Sequence, residues 1–284
     1  MVGTNSRSQA SIIRTEKTGL LRLRMENEKL KKEKKSSKGH FKWLFQMFYK
    51  PRATLSKVMA EDVPNKLTPL LFICIMVVIA VLIAAPIKTQ QLQSGATLPD
   101  DFQWWSEDQQ QQYLEAQANQ SSPIFMILFP SLFGILGYLV FSMLMASILY
   151  LALTLAGSRA SRMKIGNLVA WAMVPFGLRE LVKFFVVGGS RSLVENPGLS
   201  NLVDAEAKGF SAYLRGILGN IDIYWVFFLA LLIIGSLLLS GLKKNKAIIT
   251  TIIAVLIMLL LQGIPNLLSS LLSGLSAGGA GFYF

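Results

Sequence analysis

Five stretches of the chain are apolar at nearly every position, and the text between them is polar and charged. They are Leu67–Ile87, Ile124–Ala156, Ile165–Val187, Ile221–Leu242 and Ala247–Leu272. A helix rises 1.5 Å per residue, so roughly 20 residues cross a hydrocarbon layer about 30 Å thick. Soluble helices normally keep a polar face, and none of these runs does so along its length. The pattern predicts an all-α polytopic membrane protein. Its core is a bundle of five transmembrane helices (67–87, 124–156, 165–187, 221–242, 247–272), preceded by an N-terminal cytoplasmic amphipathic and basic segment. The second run has 33 residues, and a straight helix of that length reaches about 50 Å. It therefore tilts, projects or bends, and its small residues Gly134, Ser142, Ala146, Ser147 and Ala152 mark it as the expected central helix. Pro130, Pro175 and Pro265 are the expected kink points, since proline removes a backbone donor from the helix.

Charge orients the bundle. Residues 1–66 hold 16 Lys/Arg against 6 Asp/Glu. The hinge 157–164 carries Arg159, Arg162 and Lys164, and the turn before the fifth run carries Lys243, Lys244 and Lys246, with no acid in either. The loops 88–123 and 188–220 are mixed or acidic, and no charged side chain follows Lys246. Thus 22 of the 28 cations lie on one side, which the positive-inside rule makes cytoplasmic. Five crossings then leave the N-terminus inside and the C-terminus outside, with 88–123 and 188–220 as outer loops. The long polar start predicts no cleavable signal peptide. A hydrophobic share of 52% and a mean hydropathy of +0.48 agree with a membrane class.

The basic part subdivides. Residues 1–37 form a cytoplasmic tail, partly helical or disordered, whose cations favour anionic phospholipid or are simply solvated. No aromatic residue interleaves them, which argues against nucleic acid. Residues 38–66 read as an interfacial segment. Phe41, Trp43, Phe45 and Phe48 lie among Lys38, Lys42, Lys50 and Arg52, a mixture that suits a helix in the lipid headgroup plane. The alternative is that these aromatics plug a groove between spans. Residues 273–284 form a Gly-rich outer tail.

Arg179, Glu180 and Lys183 are the only charges well inside an apolar run. Intramembrane charge is a functional hint by default. Here Glu180 and Lys183 can pair at i,i+3, and Arg179 is within snorkelling range of the outer interface. Anchoring and a solute or proton pathway both remain open. Asp222 suits the N-terminus of the fourth run as a cap. In the first outer loop Ser106-Glu107-Asp108-Gln109 fits a capping box, while Trp104, Trp105 and Tyr113 are candidate interfacial or partner contacts.

Several chemistries are excluded. His40 is the only histidine and Cys74 the only cysteine, so no catalytic triad, thiolate metal site or internal disulfide fits. No phosphate loop or dinucleotide fingerprint occurs. The reading is a non-enzymatic protein without cofactor. A transporter would show repeated halves and polar groups at mid-bilayer, which five unequal spans do not.

An aromatic segment ending in Lys50-Pro51 precedes the first span, and Gly157 opens a short basic hinge. The next helix reads Gly166-Asn167-Leu168-Val169-Ala170-Trp171-Ala172-Met173-Val174-Pro175. With five spans, this layout resembles the Yip family, the Rab-interacting membrane proteins and their prokaryotic relatives, over about Phe41 to Leu272. The Asp-Leu-Tyr-Gly-Pro type signature of the eukaryotic branch is missing, which points to a prokaryotic member in a plasma membrane. The resemblance implies non-catalytic work: an accessory, assembly or scaffold role for another membrane complex, with an ABC-type exporter as the partner in view. Lipid organisation through the N-terminal segment and small-solute transport are the other readings.

Overall fold

The computed structural model describes residues 41–61, 65–95, 102–194, 196–204 and 208–276, and every regular element among them is helical. The basic tail 1–37, Lys38 and the last residues 277–284 lie outside the described residues. The chain divides at Tyr49/Lys50 into two units. Of the first, helix α1 runs over 41–49. Phe41, Phe45 and Tyr49 fall four residues apart and form one exposed stripe, while Leu44 and Met47 are buried.

The second unit opens with α2 (Pro51–Ala60). Pro51 sits in the first turn, where a missing N–H costs no hydrogen bond. Thr54, Leu55, Val58 and Met59 recur at helical spacing and are buried. Next come α3 (Leu67–Gly95), α4 (Glu107–Gln120), a π-helical turn (Ile124–Leu128) and α5 (Phe129–Leu155). The chain continues with α6 (Arg162–Ala172), α7 (Val174–Ser190), α8 (Phe210–Asn220), α9 (Ile223–Leu239), α10 (Lys244–Gln262) and α11 (Ile264–Ser276). The capping box at α4 is present: Ser106 Oγ accepts from the Gln109 amide at 3.3 Å, and Gln109 Oε1 accepts from the Ser106 amide at 3.1 Å.

The apolar runs are divided differently from the five spans expected, and the divisions fall near the expected kink points. Three helices among the described residues are long and apolar enough to cross a membrane: Leu67–Gln91, Ile124–Leu155 and Lys244–Leu272. The pair α8 and α9, bent by 70°, makes a fourth if it counts as one span. The third run breaks at Met173, giving helices of 11 and 17 residues. Pro175 is the reason, because it cannot donate to the Trp171 carbonyl. Pro130 sits where the π turn passes into α5, and Pro265 lies in the first turn after the break at Gly263.

The third run, not the second, holds the centre. Every residue from Ile165 to Gly177 is buried, and α2, α3, α5 and α9 pack around α6. By contrast, α5 leaves most of its apolar residues exposed or half-buried. A lipid-facing helix and a core helix are equally apolar, so hydropathy alone does not separate them. Close approach to α6 and α7 depends on glycine. A Cβ on Gly235 of α9 would collide with the Leu168 side chain, and one on Gly177 with the Phe72 ring. The entry to α6 is a tight reversal. Gly157 has φ +94°, its N–H donates to Thr154 O at 2.8 Å, and the Ser158 N–H donates to Leu153 O at 2.9 Å. That is a Schellman ending, for which glycine is the natural residue. Ser161 then caps α6.

The residues quoted for the family resemblance have work in this core. Asn167 Nδ2 donates to Val58 O of α2 at 3.4 Å, and Trp171 Nε1 donates to Asn65 O at 2.9 Å. These two bonds tie the chain leading into α3 onto α6.

Candidate functional site

Helices α3 and α7 run side by side in the same direction: Gly177 lies against Phe72, and a turn or more further on Gly188 lies against Ile83. Gly134 of α5 packs on Val77 of α3. Between these three helices lies an open cleft of about 600 Å³. Val77, Ala80, Val81 and Ala84 of α3 and Phe133, Gly134 and Gly137 of α5 give it apolar walls. Lys88, Tyr138, Arg179, Glu180 and Lys183 give it a polar side, and Leu193, Val194 and Pro197 border the end where α3 and α7 terminate.

The polar side is one connected network. Arg179 Nη1 donates to Asp222 Oδ2 at 3.2 Å, and its Nη2 donates to the Tyr138 hydroxyl at 2.8 Å. That hydroxyl donates in turn to Glu180 Oε1 at 2.7 Å, which also accepts from Lys183 Nζ at 3.0 Å. Asp222 does two things at once, because its Oδ1 accepts the Trp225 amide at 2.7 Å and caps α9. Two cations and two carboxylates close on each other, so the network carries no net charge. Such pairing offsets much of the desolvation that a lone buried charge would suffer.

Below the network the core is aromatic. Phe176, Phe141 and Phe228 meet with centroids 5.0 to 5.7 Å apart. The Arg179 guanidinium carbon stands 4.9 Å from the centre of the Phe176 ring, a cation–π contact. One donor is left over. Arg179 Nε is buried without a hydrogen-bond partner, 3.6 Å from Glu180 Oε1. Gln262 Oε1, on the same cleft, is likewise buried and unpartnered.

The structure thus brings Arg179, Glu180 and Lys183 together and adds two partners, Tyr138 and Asp222. Read from the sequence, Asp222 was only a cap and Tyr138 was not singled out. A tyrosine in an apolar run, level with charges on another run, was the available signal. The loop aromatics separate into two roles. Trp105 and Tyr113 pack against each other and Phe102, with centroids 5.5 to 5.7 Å apart. Trp104 projects, 82% exposed. On α1, Phe41, Phe45 and Lys42 are exposed, while Trp43 and Phe48 are half-buried; Lys50, just before α2, and Arg52, on α2, are exposed. No group of three or more metal-ligating side chains occurs among the described residues.

Comparison with known proteins gives one match. A family model described as the Yip1 domain matches residues 45–264. No curated protein and no solved structure matches the chain.

Proposed function

The chain belongs to the Yip1 domain family, and from that premise we propose that it is a non-enzymatic accessory or scaffold protein for another membrane complex. The observation that carries this reading is the closed Tyr138–Arg179–Glu180–Lys183–Asp222 network. A solute pathway keeps its polar groups available at mid-bilayer. Here the intramembrane charges are spent on one another and brace three helices. What the bundle offers to neighbours is an apolar lateral surface, for example Leu132, Leu136, Met143 and Leu151 of α5, together with the projecting Trp104.

The topology proposed with it has five crossings, the N-terminus cytoplasmic and the C-terminus outside, in a prokaryotic plasma membrane. The parallel run of α3 and α7 supports α6 and α7 as one broken crossing, and the basic residues at 157–164 and 243–246 support the orientation. An ABC-type exporter is the partner class we favour. The test is gentle extraction from native membranes and mass spectrometry of what co-purifies. A stoichiometric membrane complex is expected, and the chain alone would contradict the reading.

A second reading rests on α1. Its exposed Phe41, Phe45 and Tyr49 beside Lys42 and Lys50 fit a helix seated among anionic headgroups. This contact would hold the N-terminal segment at the membrane surface and is compatible with the scaffold role.

A further inference from the structure

We propose that the cleft between α3, α5 and α7 binds one anionic phospholipid, with its phosphodiester at Lys88 and Lys183 and an acyl chain along α3 and α5. Two features support this occupant. The first is charge. Arg179 and Lys183 are balanced by Asp222 and Glu180, but Lys88 lines the same cleft with no acidic partner among the described residues. The surplus is one positive charge, the complement of a singly charged phosphodiester.

The second feature is the opposite wall. Val77, Ala80, Val81 and Ala84 repeat at i, i+3, i+4 and i+7, one face of α3 over about 10 Å. Across from it, a Cβ on Gly137 would meet nothing within 4 Å. Beyond Val77, which meets Gly134, that face lines the open cleft instead of packing on a neighbouring helix. The volume of about 600 Å³ suits a headgroup with part of one chain. A free inorganic anion would use the basic side and leave the apolar wall bare, so a lipid fits better. This site is separate from α1 and does not depend on the scaffold reading.

The test is native mass spectrometry of the full-length chain, delipidated in mild detergent and titrated with phosphatidylglycerol or phosphatidylcholine. One phosphatidylglycerol should be retained, and phosphatidylcholine more weakly. Lys88→Gln should weaken retention about fivefold, the effect of one cation near an anionic lipid. Gly137→Leu fills the apolar half without altering charge and should abolish retention while the melting temperature holds or rises. The basic tail is present in every variant, so differences between them report the cleft. Equal retention of both lipids, undiminished phosphatidylglycerol binding by Gly137→Leu, or displacement by excess inorganic phosphate would each overturn the proposal.

Discussion

If the intramembrane network braces the bundle, Arg179 and Asp222 must be energetically coupled, and a double-mutant cycle measures that directly. The pair is suited to it. Asp222→Asn removes the charge but keeps an oxygen to cap α9, where Oδ1 now accepts the Trp225 amide at 2.7 Å. Arg179→Met removes the guanidinium but keeps an apolar stem beside Phe176. The two side chains are only 20% and 18% exposed, so solvent does little to weaken their contact. Losing Arg179 leaves Asp222 without its cation, which should cost about 3–5 kcal/mol. Asp222→Asn should cost about 1.5–3 kcal/mol, the range for a charge-assisted hydrogen bond, because Arg179 retains Tyr138. With Asp222 already neutral, removing Arg179 strands no carboxylate there. The double variant should then be about 1.5–3 kcal/mol less destabilised than the sum of the single changes. Equilibrium unfolding in mixed micelles, followed by tryptophan fluorescence, gives the four free energies. Additivity to within about 0.5 kcal/mol would refute the reasoning and mean that Arg179 is solvated rather than paired.

The remaining predictions concern packing and the membrane surface. Gly235→Ala should lose about 1–3 kcal/mol through its collision with Leu168, whereas Gly137→Ala should gain up to about 1 kcal/mol from helix propensity; thermal unfolding of the two variants checks the contrast. Trp171→Phe removes the bond to Asn65 O and part of a fully buried ring, so stability should fall by about 2–3 kcal/mol. Hydrogen exchange should rise in the first turn of α3 in the same variant, where Asn65 accepts the Thr68 amide, and unchanged protection there would contradict the docking role. A peptide spanning residues 38–57 should bind phosphatidylglycerol vesicles in a salt-sensitive way and lose binding when Phe41, Phe45 and Tyr49 become Ser. Binding indifferent to lipid charge would remove the interfacial reading of α1.

The helices were legible because their signals are local. Uniform apolarity located the runs, Ser106 and Asp222 announced their caps, and Pro175 and Pro265 marked positions beside helix breaks. Which run occupies the centre was not legible. Leucine and phenylalanine face lipid and protein alike, so the small residues of α5 looked like a core signature although α6 holds that place. The site was half legible. Three charges in an apolar run draw notice by their rarity, and the Glu180–Lys183 contact follows from their spacing on one helix. Tyr138 and Asp222 reach Arg179 from 41 and 43 residues away in sequence, and nothing local encodes that meeting. The separation of Trp104 from Trp105 was hidden for a related reason. Adjacent residues on a short 3₁₀ turn point different ways, and only the packing of Phe102 and Tyr113 decides which one is kept.

The central claim is that this protein works by holding another membrane protein, and photo-cross-linking from position 104 in intact native membranes tests it before any detergent is added. A photoreactive phenylalanine in place of Trp104 occupies a projecting site that packs against no aromatic neighbour of its loop. The account predicts one predominant protein adduct, identified by mass spectrometry as a membrane complex and reproduced from Leu151 on α5. Adducts to lipid alone from both positions would contradict it.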